Sequence, residues 1–221
     1  MIGLVGGLGV GAAIHYYREL AAAHERDGRP LELVMAHAQM SRVFDHASAG
    51  DLPGLARYLA DTFSNLKAAG ATIGVIPATT PHLAADHLAA ITPIPLVNLI
   101  DVIAAELTAM AVKRIALLGT RFVVETDLFG KLKAFEIARP RPDEISFIHD
   151  TYSQLARTGS ISGDQHRLLV DVAERLRARD GAEVIVLAGT DLSTVFNESN
   201  TPFPHLDCAR AHIRAIMRQL R

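Results

Sequence analysis

Two stretches of this chain repeat at nearly the same distance along the sequence, and this repeat limits the possible folds more than any other feature. Residues 70–80 (GATIGVIPATT) align without a gap on residues 181–191 (GAEVIVLAGTD), at an offset of 111 positions. Residues 1–7 likewise resemble residues 114–120, at an offset of 113. Two matches at nearly one offset indicate that a βα half-domain has been duplicated. The 221 residues then form two halves, each long enough to bury a core.

Short apolar runs alternate with longer segments of helical periodicity. We predict strands at residues 2–5, 31–36, 73–77, 114–118 and 183–188, and helices at 11–26, 52–69 and 166–179. This alternation is typical of βαβ units in a parallel sheet. Aliphatic residues carry most of the 49% apolar content, and Trp is absent, which suits helices packed on parallel strands. The sequence therefore predicts the α/β class.

The predicted architecture is two pseudo-symmetric, Rossmann-like parallel-sheet halves with a cleft between them. The N-terminal half covers residues 1–99 and the C-terminal half covers residues 100–204. A C-terminal helix within residues 205–221 is expected to pack back on the first half.

Bulk properties exclude several classes of protein. A formal net charge of −2 gives no reason to expect a nucleic acid or an anionic membrane as partner. No apolar stretch reaches the ~18 residues of a membrane span, and the N-terminus does not resemble a signal peptide. The single cysteine, Cys208, excludes an internal disulfide and suits a cytoplasmic protein. We expect neither a cofactor nor a metal ion, since His82 and His87 are poorly spaced as a helical pair of metal ligands.

A glycine-rich turn follows the first predicted strand. Gly6, Gly7, Gly9 and Gly11 open the first predicted helix, a context in which backbone N–H groups can approach an anion. The order of these glycines differs from a dinucleotide fingerprint, and the second predicted strand ends without an acidic residue that could hold a ribose. We therefore expect this turn to bind a carboxylate or another small anion.

Hydroxyl side chains follow other predicted strands. In parallel sheets, functional loops lie beyond the carboxyl ends of the strands, and these loops carry Thr79, Thr80, Thr120 and Thr190. Hydroxyls can donate to a carboxylate, but an unassisted alcohol is too weak an acid to ionise near neutrality. Threonines therefore predict substrate binding rather than proton transfer.

Four acid–base side chains lie near the same strand ends: His37, His82, Glu125 and Asp191. His82 and Asp191 have an alternative role as helix caps, and Glu125 as a first-turn residue that interacts with the helix dipole. His37 is harder to explain structurally, because it follows an apolar strand where a loop should begin. All four remain candidates for catalysis.

These motifs together resemble the aspartate/glutamate racemase superfamily. Its members carry a Gly-Gly-Met-Gly-Pro turn, which corresponds to residues 6–10, and Cys-Asn-Thr-x-His, which corresponds to residues 78–82. They also carry Leu-Leu-Gly-Thr, present at residues 117–120, and Gly-Cys-Thr-Glu, which corresponds to residues 188–191. The resemblance covers almost the whole chain and implies two facing halves, a small carboxylate substrate and a homodimer.

The departures from the family pattern fall on the mechanism. Family racemases exchange the substrate proton between two cysteines, but here Ala78 and Gly189 occupy both positions. Their small size is expected to leave space for a bulkier substrate or a water.

Three hypotheses follow. The chain is an isomerase, lyase or hydrolase that acts on a small carboxylate by non-cysteine acid–base chemistry, or it binds a small carboxylate without turnover, or it is an amino-acid racemase with unconventional bases such as His37 and Asp191.

Overall fold

The computed structural model describes residues 1–220 and divides into two compact units. Unit 1 comprises Met1–Leu99 together with residues 212–220, and unit 2 comprises Ile100–Ala211. Each unit contains its own parallel β-sheet. The predicted α/β class, with two separate parallel sheets, is confirmed.

Unit 1 is built on a three-stranded sheet of order β2-β1-β3. Its elements are β1 (Ile2–Gly6), α1 (Val10–Arg26), β2 (Leu33–His37), α2 (Met40–Ser48), α3 (Leu52–Ala68), β3 (Ile73–Val75), a 3₁₀ helix (Thr80–Ala84) and α4 (Ala85–Ala89). The central strand β1 pairs in parallel with both neighbours, with Gly6 opposite His37 and Leu4 opposite Val75. The carboxyl ends of these strands therefore lie at one edge of the sheet.

Unit 2 is built on a four-stranded parallel sheet of order β5-β4-β6-β7. Its elements are α5 (Leu99–Ala109, whose first residue belongs to unit 1), β4 (Arg114–Leu118), α6 (Arg121–Glu125), β5 (Glu136–Ile137), α7 (Pro142–Thr158), α8 (Gly163–Asp180), β6 (Val184–Leu187), a 3₁₀ helix (Thr190–Thr194), β7 (His205–Asp207) and the start of α9 (Cys208–Gln219). In the register, Leu118 lies opposite Leu187, which lies opposite Asp207.

The two sheets have matching topology, as the sequence repeat predicts. In unit 1, β1 lies between β2 and β3, and in unit 2, β4 lies between β5 and β6. A 3₁₀ helix follows the last strand of each triplet, at Thr80–Ala84 and at Thr190–Thr194. The repeat thus reflects one strand arrangement used twice.

Close packing in unit 1 depends on two glycines in the strands. A Cβ atom added at Gly74 would lie 2.7 Å from the ring of Phe63, and one at Gly3 would lie 2.8 Å from Cβ of Ala71. Phe63 is fully buried in the apolar cluster that α3 forms against the sheet. The missing side chains therefore let α3 approach strands β1 and β3 directly.

In unit 2, α7 and α8 pack together over the sheet and are joined by a buried carboxylate. Apolar side chains from both helices, including Ile148, Leu155 and Leu176, form one cluster with β4 and β6. Glu144 of α7 accepts hydrogen bonds from Arg175 Nε at 2.9 Å and from Arg179 Nη2 at 3.0 Å, both on α8. These bonds fix the position of α7 along α8.

Over residues 1–220, no helix has both the length and the apolar character needed to cross a membrane.

Candidate functional site

The glycine turn of unit 1 has a backbone conformation that other residues rarely adopt. Gly7 has φ +84° and Gly9, the N-cap of α1, has φ +144°. A Cβ atom at Gly7 would also lie 2.1 Å from the carbonyl oxygen of Ala38. Glycine is required at position 7 because both the dihedral angle and the space exclude a side chain. The turn therefore presents bare backbone at the start of α1.

His37 is the last residue of β2 rather than the first loop residue after it. Its Nε2 and Cε1 atoms lie 2.7 Å from the point where a Cβ of Gly7 would be. The backbone around the ring is fixed, because the N–H of Ala38 donates to the carbonyl of Gly6 over 2.8 Å. His37 is exposed to solvent. The structure thus holds an accessible imidazole against the glycine turn.

The segment that corresponds to the first family cysteine is buried. Ala78, Thr79 and Thr80 are 4%, 4% and 9% exposed, and Thr80 begins the 3₁₀ helix that follows β3. His82 is equally buried, and its Nδ1 lies 2.9 Å from the carbonyl oxygen of Ala78, to which it donates. Burial lowers the pKa of His82 to about 4, so its ring is neutral near pH 7. His82 therefore supports the backbone at position 78.

A second buried histidine lies next to His82. His212 packs edge-on against it, with 6.1 Å between the ring centroids. His212 Nε2 donates to the carbonyl oxygen of Val97 over 2.8 Å, and its Nδ1 accepts from the hydroxyl of Tyr16 over 3.0 Å. Burial, followed by the proximity of His82, lowers the pKa of His212 to about 3. Both rings are therefore neutral parts of the unit 1 core.

In unit 2, Thr120 is placed at a strand end, as predicted, and begins a helix. It is the N-cap of α6, and its hydroxyl oxygen accepts a hydrogen bond from the N–H of Val123 over 3.3 Å. The hydroxyl hydrogen of Thr120 remains able to donate. Glu125, the last residue of α6, is exposed and forms an ion pair with Arg121 over 3.2 Å.

The position of the second family cysteine is occupied by a neighbouring side chain. A Cβ atom at Gly189 would lie 2.1 Å from Cε2 of Tyr152, 2.7 Å from Cζ and 2.8 Å from Cδ2. Gly189 has φ −106° and ψ 122°, an extended conformation open to any residue. A side chain is therefore excluded at position 189 by the neighbouring ring and not by the backbone dihedral angles. The expectation of free space at Gly189 is wrong, because the ring of Tyr152 fills it.

The hydroxyl of Tyr152 meets one of the predicted acid–base residues. It donates to Oδ2 of Asp191 over 3.1 Å, and Asp191 is only 2% exposed. Burial raises the pKa of the Tyr152 phenol well above its usual range, and the charge of Asp191 adds to this effect. The phenol therefore keeps its proton near pH 7. Thr190, next to Asp191, is fully buried.

The single cysteine also lies in this part of unit 2, at the start of α9. Burial, followed by the charges of Asp207 and Asp191, raises the pKa of Cys208 well above its usual range. The thiol is fully buried and stays protonated, which disfavours a role as nucleophile. Asp207 caps α9 by accepting from the N–H of Arg210 over 3.0 Å, and it accepts from the hydroxyl of Ser193 over 2.5 Å.

Sequence reasoning missed Tyr152 because it missed α7. The same helix carries His149, whose Nδ1 accepts from the N–H of Arg121 over 3.3 Å just after Thr120. The signals for α7 were present: Pro142 begins it, acidic residues follow in the first turn, and apolar residues recur at helical spacing. One helix thus places side chains beside the loops that follow both β4 and β6.

Over the described part of the chain, no group of three or more histidine, cysteine, aspartate or glutamate side chains is arranged to hold a metal ion.

Two parallel-sheet units with glycine and threonine residues at their strand ends define an α/β protein with candidate anion-binding turns. The family model for Asp/Glu/Hydantoin racemase matches residues 5–216, so the chain belongs to this family. Solved structures share the fold. A Yersinia pestis protein assigned as an Asp/Glu racemase is 24% identical, with 100% of this chain and 99% of that chain covered and a TM-score of 0.83.

Two further solved structures are similar over the same length. An aspartate racemase homologue from Pyrococcus horikoshii OT3 is 23% identical, with 99% and 97% of the two chains covered and a TM-score of 0.78. The aspartate racemase of Picrophilus torridus is 17% identical, with 99% and 93% covered and a TM-score of 0.76. These similarities extend the fold assignment to the full length of this chain.

Proposed function

We propose that this protein is an enzyme of the Asp/Glu racemase family that acts on a small carboxylate by acid–base chemistry without cysteine. One observation supports turnover over simple binding: a buried carboxylate, Asp191, directly follows Thr190 at the carboxyl end of β6 and is hydrogen-bonded to a phenol of raised pKa. Buried ionisable groups of this kind are typical of active sites. A site that only binds a carboxylate needs hydroxyl and N–H donors alone.

Each unit carries its own candidate carboxylate-binding groups. In unit 1 they are the glycine turn, Gly7 and Gly9, and the buried pair Thr79 and Thr80. In unit 2 they are the two residues that follow strands β4 and β6, Thr120 and Thr190. All of these offer N–H or O–H donors, which favour a negatively charged group.

Among the four acid–base candidates, His37 and Asp191 are the stronger proposals. His37 is exposed beside the glycine turn of unit 1, and Asp191 is the buried carboxylate of unit 2. His82 is a weaker base because its pKa is about 4 and its Nδ1 is engaged with Ala78. Glu125 is a weaker candidate because its carboxylate is paired with Arg121 at the surface.

The two-cysteine mechanism has no groups to operate with in this chain. Ala78 and Gly189 stand where the family thiols are expected, and the one thiol, Cys208, is buried and protonated. A single acid or base typically contributes ~10²–10⁴-fold to a rate, so loss of both removes that route. We propose instead a reaction of the isomerase, lyase or hydrolase type, with His37 of unit 1 or Asp191 of unit 2 as the preferred proton-transfer group.

Solvent exchange and a substrate screen together test this proposal. The protein is incubated in D₂O with L- and D-aspartate, L- and D-glutamate and a panel of other small mono- and dicarboxylates, and both deuterium at Cα and product are measured. We expect little deuterium in aspartate or glutamate and turnover of another carboxylate, which Asp191→Asn or His37→Ala abolishes.

The other outcomes of this experiment distinguish the alternatives. Appreciable exchange at Cα of aspartate or glutamate that Asp191→Asn removes would establish a racemase with unconventional bases. Tight binding with no turnover of any compound in the panel would show a non-catalytic carboxylate-binding protein.

We also propose a cytoplasmic homodimer. The apolar content of 49% is generous for a monomer of 221 residues. Sedimentation equilibrium is expected to give twice the chain mass of 23.8 kDa. A single species at the chain mass at high protein concentration would reject the dimer.

A further inference from the structure

We propose that Tyr152 takes the place of the second family cysteine: its ring excludes any side chain at position 189, and its hydroxyl positions the carboxylate of Asp191. This inference rests on the proposed function and adds to it the residue that organises the acid–base group of unit 2. Tyr152 acts through Asp191, so it is a positioning residue and Asp191 is the group proposed to contact the substrate.

The steric half of the inference rests on three short distances. The ring atoms Cε2, Cζ and Cδ2 of Tyr152 all lie within 2.8 Å of an ideal Cβ on Gly189. A phenol ring is rigid, and Tyr152 is packed in the apolar cluster of α7 and α8. The ring therefore has little room to withdraw. In this chain a thiol at position 189 and the ring of Tyr152 are mutually exclusive.

The chemical half rests on the hydrogen bond between Tyr152 and Asp191. The carboxylate is buried, and burial of a charge is costly unless a donor compensates for it. The phenol supplies such a donor at 3.1 Å. Because the phenol keeps its proton, it can donate this hydrogen bond near pH 7 and hold the carboxylate in one orientation.

Helix α7 is well placed to hold the ring in position. Glu144, two turns before Tyr152, joins α7 to Arg175 and Arg179 of α8. Gln154, two residues after Tyr152, exchanges side-chain hydrogen bonds with Gln165 of α8. The ring thus lies between two points at which α7 is attached to its neighbour.

A stability experiment tests the steric half without any need for activity. Gly189→Ala in the full chain is expected to lower Tm by several degrees, because the added methyl meets the ring. Gly163→Ala is the matched control, since a Cβ there meets nothing within 4 Å and the φ is not positive, and it should leave Tm unchanged or higher. In a Tyr152→Leu background, Gly189→Ala should no longer lower Tm. If Gly189→Ala is tolerated as well as Gly163→Ala, the steric half is wrong.

Tyr152→Phe tests the positioning half, because it keeps the ring and removes only the hydroxyl. With the carboxylate that the screen identifies, we expect kcat to fall at least ~10-fold with little change in KM, and the acid limb of the pH–rate profile to move to higher pH. Tyr152→Phe added to Asp191→Asn should cause little further loss, because Tyr152 acts only through that carboxylate. Wild-type kcat and an unmoved pH profile for Tyr152→Phe would reject the positioning role while leaving the proposed function intact.

If the wild-type protein turns over no carboxylate, the proposed function fails. The Gly189→Ala and Tyr152→Phe variants still test the role of Tyr152. In that case Asp191 only holds the ring. The loss in carboxylate-binding free energy caused by Tyr152→Phe should then be no larger than its loss in the free energy of unfolding. That result rejects the positioning role, whereas the Gly189→Ala result continues to decide the steric one.

Discussion

Tyr16 and His212, which are 196 positions apart in the sequence, are joined by a buried hydrogen bond of 3.0 Å. His212 begins the part of α9 that belongs to unit 1, and its other ring nitrogen donates to Val97. One neutral imidazole therefore links α1, the segment after β3 and the end of the chain. Since His82 packs against it, a buried pair of histidines lies in the core of unit 1.

We predict that this pair destabilises the protein at mildly acidic pH. The pKa of His82 falls from 6.5 to about 4 on folding, and that of His212 falls to about 3. Below pH 6.5 the unfolded chain takes up protons that the folded chain refuses. The free energy of unfolding therefore has its full value above that pH. It decreases as the pH falls toward 4, by roughly 3 kcal/mol for one such histidine.

Urea unfolding between about pH 8 and about pH 4.5 measures this loss. The carboxylate of Glu144, with a pKa lowered from 4.5 to about 2, loses its contribution to stability only below that window. His82→Asn should reduce the slope of the unfolding free energy against pH by about half. The asparagine side chain keeps a donor near Ala78. His87→Asn, on the exposed face of α4, is the control. An unchanged slope in His82→Asn would contradict the assignment.

Gly7→Ala is expected to destabilise unit 1 more than a glycine substitution at an ordinary left-handed position. The new Cβ meets the carbonyl oxygen of Ala38 and the ring of His37, and the φ of +84° adds backbone strain. Gly28→Ala is the matched control, with φ +64° and nothing within 4 Å. We expect a loss of about 1 kcal/mol at Gly28 and ~2–4 kcal/mol at Gly7. Equal losses in chemical denaturation would show that the turn can relax.

Thr120→Val should weaken carboxylate binding by about 1–3 kcal/mol, because it removes a hydroxyl proposed to donate to a charged group. The same change removes the N-cap of α6 and should lower stability by about 1 kcal/mol. Thr120→Ser keeps both functions and is the control. Isothermal titration calorimetry with the carboxylate found in the turnover screen gives the affinities. If the valine variant binds as tightly as the serine variant, Thr120 lies outside the binding site.

Glu144→Gln should loosen the attachment of α7 to α8. The carboxylate accepts from Arg175 and Arg179, whose guanidinium groups are partly exposed, so we expect a loss of about 1–3 kcal/mol rather than the value for a fully buried pair. Asp143→Asn, the exposed neighbour, is the control. Thermal unfolding measures the difference. A loss in Glu144→Gln no larger than in Asp143→Asn would show that the ion pairs do not hold the helix.

Local sequence was enough to predict the fold class and the strand ends that carry the proposed site residues. Apolar runs of strand length and glycines at turns depend only on neighbouring residues, and the repeat is visible when the sequence is aligned with itself. They predicted β1, β4 and β6 closely, and they identified Thr120, Thr190 and the glycine turn. Short strands such as β5 (Glu136–Ile137) carry too few residues for a pattern, so they could not be predicted.

What the sequence could not determine is which distant side chain fills an empty position. Gly189 and Tyr152 are 37 positions apart, and no pattern near either residue indicates that a ring of α7 lies where a cysteine side chain would be. The same is true of His212, whose neutral state depends on burial against Tyr16 and Val97. Volume, burial and hydrogen-bond partners are properties of packing between elements, and only the tertiary structure decided them.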